Sequence, residues 1–371
     1  MSKTDSEDAE TTAGPPPSTE DVPELTEIGL VYGTDAEPGI TRRRRGKGFS
    51  YHLPDGTVIA DQPLLTRIRK LALPPAYERV WISLEPRSHL QATGYDARGR
   101  KQYRYHVHWA TWRSERKFDD LIGFGEALPT IRRRIARDIA EHTDSSYFLL
   151  SALISLLDVT YMRVGNRAYA QENKTYGATT LQKRHLTFEP DGIRLSFLAK
   201  GGKRVRRKLR HPKLQKILEE IADLPGRDLF SWRDQEGQLH RIDSGRLNTY
   251  LTEITSRRLS AKTFRTWGGS VAAFAEAWKH IDASERPTIR QMCEIASDRL
   301  HNTPTICRSS YVHPAILNLA DKNTDLDQVR ELIQAAPARA LLRADENRLM
   351  TFLQAHYARK DEDKTECVRA G

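Results

Sequence analysis

Arg163-Val164-Gly165-Asn166-Arg167-Ala168-Tyr169-Ala170-Gln171-Glu172-Asn173-Lys174-Thr175-Tyr176-Gly177-Ala178-Thr179-Thr180-Leu181 joins two segments of different periodicity. Before it, Phe148 to Val159 is the longest apolar stretch, broken by Ser151, Ser155 and Asp158. With Leu149, Leu153, Leu156 and Leu157 at spacings of three and four it reads as a buried core helix, well short of the ~20 residues a bilayer span needs. After it, Leu186-Thr187-Phe188, a Pro190-Asp191-Gly192 turn and Ile193 to Leu198 read as a β excursion. Lys200-Gly201-Gly202-Lys203 then puts Lys200 at a hairpin tip leading into another basic strand.

Helical periodicity runs from about residue 126 and recurs in Ile289, Met292, Ile295, Ala296 and Leu300. From about 46 to 125, turns at Pro54-Asp55-Gly56 and Ala97-Arg98-Gly99 separate β-like runs, Val80 to Leu84 and Tyr103 to Trp109. His106 and His108 share a face if that second run is a strand, and packing or phosphate contact suits them better than a metal. The expected fold class is α+β: a small β-rich domain over 41–125, then a mainly helical domain over 126–325 with an inserted β-hairpin. Residues 1–40 read as an acidic tail and linker, since Asp5, Glu7, Asp8, Glu10 and Pro15-Pro16-Pro17 come with almost no large apolar residue. Residues 326–371 read as two short amphipathic helices and a charged, frayed end.

A chain of 371 residues has room for two or three domains. Cys293, Cys307 and Cys367 form no CxxC pair, and their odd number with no signal peptide favours a reducing compartment, cytosolic or nuclear, without a structural zinc. The formal charge of +10 suits a polyanionic partner. Arg42 to Arg45 form a basic run that fits an import signal or a solvated loop as well as DNA contact.

The chemistry-bearing residues are Arg163, Lys200, Arg265 and Tyr311, to which the resemblance below adds Asn302. Phosphodiester transfer needs an oxygen nucleophile, donors for the non-bridging oxygens and an acid for the departing oxygen. Tyr311 lies just past a helix broken by Pro304. Guanidinium forks at Arg163 and Arg265 suit two phosphate oxygens, and Lys200 on its tip suits the acid. Singly, each has a plainer reading: Arg163 as a cap of the preceding helix, Arg265 as a surface cation, Tyr311 as a packing residue.

Together these motifs resemble the type IB DNA topoisomerases in the compact form of poxviruses and bacteria. The stretch from Arg163 to Leu181 is similar to the family's R-x-G…Y…E-N-x-T-x-G-x-x-T-L pattern. Phe197 to Gly201, Lys262-Thr263-Phe264-Arg265, Asn302-Thr303-Pro304 through Tyr311, and Gly99-Arg100-Lys101-Gln102-Tyr103 follow in the family's manner. The resemblance spans roughly residues 40 to 320. It implies relaxation of supercoiled DNA without ATP, metal or other cofactor, through a 3′-phosphotyrosine on Tyr311, strand rotation and religation. Two departures stand out: Asn302 replaces the poxvirus histidine that donates to phosphate, with His301 one residue earlier, and Asn166 replaces a lysine linked to site preference.

Between Ile193 and Arg210 the cations Arg194, Lys200, Lys203, Arg204, Arg206, Arg207, Lys208 and Arg210 meet no acidic residue, which makes this hairpin the densest candidate for phosphate contact. Arg100, Lys101, Gln102 and Tyr103 are candidates on the first domain, and the resemblance adds Tyr169 and Lys262. The implied partner is double-stranded DNA, clamped by a monomer in the cytoplasm, at the nucleoid if the source is prokaryotic. Two alternatives remain open here: a tyrosine recombinase, whose second arginine usually sits in H-x-x-R where this chain has Lys262, and a non-catalytic DNA-binding protein of the same fold.

Overall fold

The computed structural model describes residues 22–370, apart from positions 47, 98, 100, 117, 119, 142–144 and 235. It divides into two compact units, Met1–Lys117 and Phe118–Gly371. The expected acidic tail lies mostly outside the described residues, but order starts before residue 40: helix α1 (Val22–Glu27) buries Leu25 completely. No helix among the described residues is long and apolar enough to cross a membrane.

In the first unit β1 (Ile40–Arg45), β2 (Gly48–His52), β3 (Glu78–Ile82), β4 (Leu90–Tyr95) and β5 (Lys101–Tyr105) form one antiparallel sheet in the order β2-β1-β3-β4-β5. Helix α2 (Gln62–Lys70) starts where the Asp61 carboxylate accepts the Leu64 N–H, and it seats Ile68 against Ile40, Val80, Ile82 and Ala92. Arg42 donates to the carbonyls of Leu73 and Pro74 and lies 4.2 Å from the Phe49 ring centroid, so the first cation of the basic run ties down a loop.

The strand expected over Tyr103 to Trp109 stops at Tyr105, the last residue paired with β4. Helix α3 (Val107–Arg116) follows, and the Nδ1 of His106 accepts the His108 N–H at 3.2 Å. The two histidines therefore sit at a helix start and share no strand face. Packing decides it: Trp109 and Trp112, one helical turn apart, stack at 5.0 Å and close a small cluster with Leu25 and Leu30.

The second unit is mainly helical: α4 (Asp120–Glu141), α5 (Ser145–Thr160), α6 (Arg167–Asn173), α7 (Pro212–Asp223), α8 (Ser244–Thr255), α9 (Thr263–Asp282), α10 (Ile289–Leu300), α11 (Pro304–Ser310), α12 (Pro314–Leu317), α13 (Leu326–Gln334) and α14 (Ala344–Ala370). The expected hairpin is present as a three-stranded antiparallel sheet of β6 (Leu186–Glu189), β7 (Gly192–Leu198) and β8 (Arg204–Leu209); a second small pair is β9 (Ser231–Arg233) and β10 (Leu239–Arg241). Helix α5 runs through the core with Leu149, Leu150, Leu153, Leu156 and Leu157 fully buried.

Residues 326–371 do form two helices, α13 and α14, but only the first is short. Helix α14 is one 27-residue element, fixed by the fully buried Glu346. Glu346 accepts from Arg132 of α4 at 2.8 Å and from Trp267 of α9 at 3.3 Å, while Arg132 and Arg343 each reach Asp158 of α5 at 2.8 Å. A buried carboxylate needs such partners, and these lie far away in sequence.

Candidate active site

Helix α5 ends at Thr160, and a helix leaves its last carbonyls unpaired at the negative end of its dipole. Four arginines from four other parts of the chain take the carbonyls there in order: Arg343 donates to Asp158 O at 3.2 Å, Arg299 to Val159 O at 3.4 Å, Arg207 to Thr160 O at 2.6 Å and Arg265 to Tyr161 O at 2.9 Å. The plainer reading of Arg163 as the helix cap thus loses its footing, since other arginines do that. Tyr161, at φ 54°, turns the chain out of α5 toward Arg163.

The backbone of Arg163 is then clamped to the far end of its own motif. Arg163 O accepts the Ala178 N–H at 2.8 Å, and Val164 O accepts the Thr179 N–H at 2.7 Å. A Cβ on Gly177 would come within 2.6 Å of Arg163 O and the Gly165 backbone, so the two segments can lie together only with glycine there. This gives the spacing from Arg163 to Gly177 a physical reason.

Arg265, in the first turn of α9, is only 3% exposed, which overturns its reading as a surface cation. Its second donor reaches Leu300 O at 2.6 Å, and its buried Nε has no partner. Its guanidinium carbon lies 5.0 Å from the centroid of the Tyr311 ring. Burial, and then the charge of Arg163, pull the Arg265 guanidinium down to about 10, which leaves it charged at neutral pH.

Tyr311 closes helix α11, which begins with Thr303 as its cap and Pro304 in its first turn. The Ser270 hydroxyl donates to Tyr311 O at 3.1 Å, and the bare Gly269 lets α9 approach: a Cβ there would sit 2.8 Å from Tyr311 O. Asn302 donates its backbone N–H to Ser297 O at 2.9 Å, while its side-chain Nδ2 is buried without a partner. His301 caps α10 in the left-handed region, at φ 48°.

One cavity in this region is lined by Arg163, Arg207, Arg265 and His301, with Leu195 and Phe197 of β7 among its apolar walls. The structure thus brings Arg163, Arg265 and Tyr311 together, and His301 rather than Asn302 faces that cavity. Lys200 stays at the exposed β7–β8 tip. Burial pushes the Cys307 thiol of α11 up to about 11, against the charges of Arg265, Arg163 and Lys203.

Of the proposed DNA contacts, Lys203, Arg204, Arg206 and Lys262 are exposed. Lys101 pairs with Asp35, Gln102 donates to Asp96 at 3.1 Å, and Tyr103 stacks on Tyr105 at 6.2 Å. Arg100 lies outside the described residues, as does the side chain of Tyr169 on α6. The hairpin is less uniformly cationic than its sequence reads: Glu189 pairs with Arg194 and Lys208, and Asp191 with Lys208 and Arg210. Arg207 is the residue that sequence reasoning misplaced, grouped with the outer cations although it turns inward. Its signal was available, because Val205, Arg207 and Leu209 alternate along one strand face.

Residues 107–322 match the family of the eukaryotic DNA topoisomerase I catalytic core, and residues 48–96 match the bacterial DNA topoisomerase IB N-terminal domain. DNA topoisomerase 1B of Acanthamoeba polyphaga mimivirus is 29% identical over 77% of this chain and 89% of its own length. DNA topoisomerase 1B of Vaccinia virus (strain Copenhagen) is 23% identical over 68% of this chain and 79% of its own. A solved XerH site-specific recombinase bound to difH substrate aligns with a TM-score of 0.34 and 16% identity over 56% of this chain and 51% of that one, too slight a likeness to decide anything.

Proposed function

We propose that this chain, a member of the DNA topoisomerase I catalytic-core family and a type IB DNA topoisomerase, relaxes supercoiled DNA without ATP or metal, with Tyr311 as its nucleophile. Arg163, Arg265 and Asn302 hold the non-bridging oxygens of the scissile phosphate, and Lys200 is the acid. The Tyr311 oxygen bonds to phosphorus as the bond to the 5′ oxygen breaks, leaving a 3′-phosphotyrosine, and Lys200 gives its proton to the departing oxygen. The phosphodiester's energy stays in the covalent intermediate, so the reverse step reseals the strand after rotation.

The observation that carries this reading is Arg265: a buried guanidinium with an unpartnered Nε, beside the Tyr311 ring. Burying a cation with no carboxylate is costly unless an anion completes the site. The unpartnered Nδ2 of Asn302 supports the same anion. The protein acts as a monomer that grips duplex DNA with both units, through Lys101, Gln102 and Tyr103 in the first and Lys203, Arg204, Arg206, Lys262 and Tyr169 in the second; Arg100 belongs to the same set. It works in the cytoplasm, at the nucleoid if the source is prokaryotic.

Relaxation of a supercoiled plasmid without any recombination site, in EDTA and without nucleotide, tests the reading. Relaxed topoisomers are the expected product. A recombinase leaves such a plasmid supercoiled, and a non-catalytic binder merely shifts its mobility.

A further inference from the structure

Arg207 stands where an apolar side chain belongs. On β8 the inward row reads Val205, Arg207, Leu209, and across the ladder these face Phe197, Leu195 and Ile193. The flanking residues are buried, so Arg207 carries its charge along an otherwise apolar face. A cation in such a place is expected to have a carboxylate. Among the described residues the charged neighbour felt most strongly by Arg207 is another cation, Arg299, and its anchor is the Thr160 carbonyl at 2.6 Å.

That arrangement opens on the cavity shared with Arg163, Arg265 and His301. We propose that Arg207 is a third phosphate-facing cation of the cleavage pocket, a catalytic residue that supplies charge where Asn302 offers a neutral donor. This rests on the topoisomerase reading above. One N–H of the guanidinium serves Thr160, which leaves its remaining donors for an anion. The carbonyls at the end of α5 hold Arg207 and Arg265 on the cavity they share with Arg163 despite the repulsion, and a phosphate entering among the three offsets the remainder. His301, held below the ordinary histidine range by burial and then by Arg207 and Arg265, stays neutral at neutral pH and adds no competing charge.

The same contact also caps α5, and the experiment separates that plainer role from the catalytic one. Single-turnover cleavage is compared for the full-length protein, Arg207→Gln and Arg207→Met on a duplex with a mapped cleavage site, and on the same duplex with a neutral methylphosphonate at that site. Gln keeps a donor for Thr160 O without the charge; Met suits the apolar row. Both variants are expected to cleave the phosphodiester on the order of tenfold or more slowly, and the wild-type-to-variant ratio falls toward one on the methylphosphonate, where the charge to be neutralised is gone. A Gln variant at wild-type rate, or variants slowed equally on both duplexes, would mean that Arg207 is a cap only. If the unmodified protein forms no adduct on the phosphodiester, the topoisomerase reading fails instead.

Discussion

Arg265 holds two carbonyls from opposite sides of the site, Tyr161 O at 2.9 Å and Leu300 O at 2.6 Å, and so ties the end of α5 to the end of α10. The same side chain lies under the ring of Tyr311. Its geometry depends on the planar fork, which a lysine lacks. Arg265→Lys is therefore expected to lose cleavage by about a hundredfold or more, near the loss in Arg265→Ala. Non-covalent DNA affinity stays within a few-fold in both. Adduct formation at saturating protein checks this, and a Lys variant with wild-type cleavage would refute the fork argument.

Lys200 sits on an exposed tip away from the arginine-lined cavity. As the acid, it matters only while the leaving oxygen needs a proton. Lys200→Ala should cleave ordinary DNA slowly and cleave DNA with sulfur at the 5′ bridging position at nearly the normal rate, because a thiolate leaves unaided. Persistent slowness on the sulfur substrate would assign the acid elsewhere.

For the residues before the nucleophile, Asn302→Ala is expected to slow cleavage, since it removes a buried donor that has no partner in the free protein. Asn302→His retains or raises the rate. His301 occupies a left-handed position at φ 48°, so His301→Gly should stabilise the fold by roughly 0.5–1 kcal/mol with little loss of cleavage. Melting curves and single-turnover rates of the three variants test this; a crippled His301→Gly beside a silent Asn302→Ala would give the catalytic role to His301.

The periodicity of α5 and α10 and the hairpin bearing Lys200 were legible in the sequence because each is local: a spacing, a glycine turn. Pro304 reads in sequence as a helix breaker and instead opens α11, where its fixed φ suits the first turn. Arg265 reads in sequence as half of a phosphate clamp or, taken singly, as a surface cation; its burial was not legible, because it comes from carbonyls of the α5 end and α10 that converge on it. The single long α14 escaped the sequence for a similar reason, as Glu346 finds Arg132 and Trp267 only in three dimensions. The strand misread past Tyr105 lost to the stacking of Trp109 on Trp112. Arg207 was half legible: alternation along β8 placed it inward, but a run of cations concealed the break in pattern.

His185, just before β6, is 7% exposed and its Nδ1 accepts the Gln182 N–H at 3.1 Å. Burial, and then Arg184, pull it down from the ordinary 6.5 to about 4, so the fold favours the neutral ring. Its contribution to stability is fully present above the unfolded value and is lost as pH falls toward the folded one. Unfolding free energy should drop by roughly 2–3 kcal/mol between those values from this group, and His185→Gln should flatten that part of the curve. Denaturant titrations across the window decide it.

In the proposed reaction Tyr311 becomes bonded to DNA. Complexes trapped by denaturant on a nicked duplex, digested with protease and sequenced by mass spectrometry, test it most directly. A nucleotide is expected on the peptide bearing Tyr311, and for Tyr311→Phe no adduct and no relaxation with DNA affinity almost unchanged. An adduct on another residue, or relaxation near the wild-type rate by Tyr311→Phe, would contradict it.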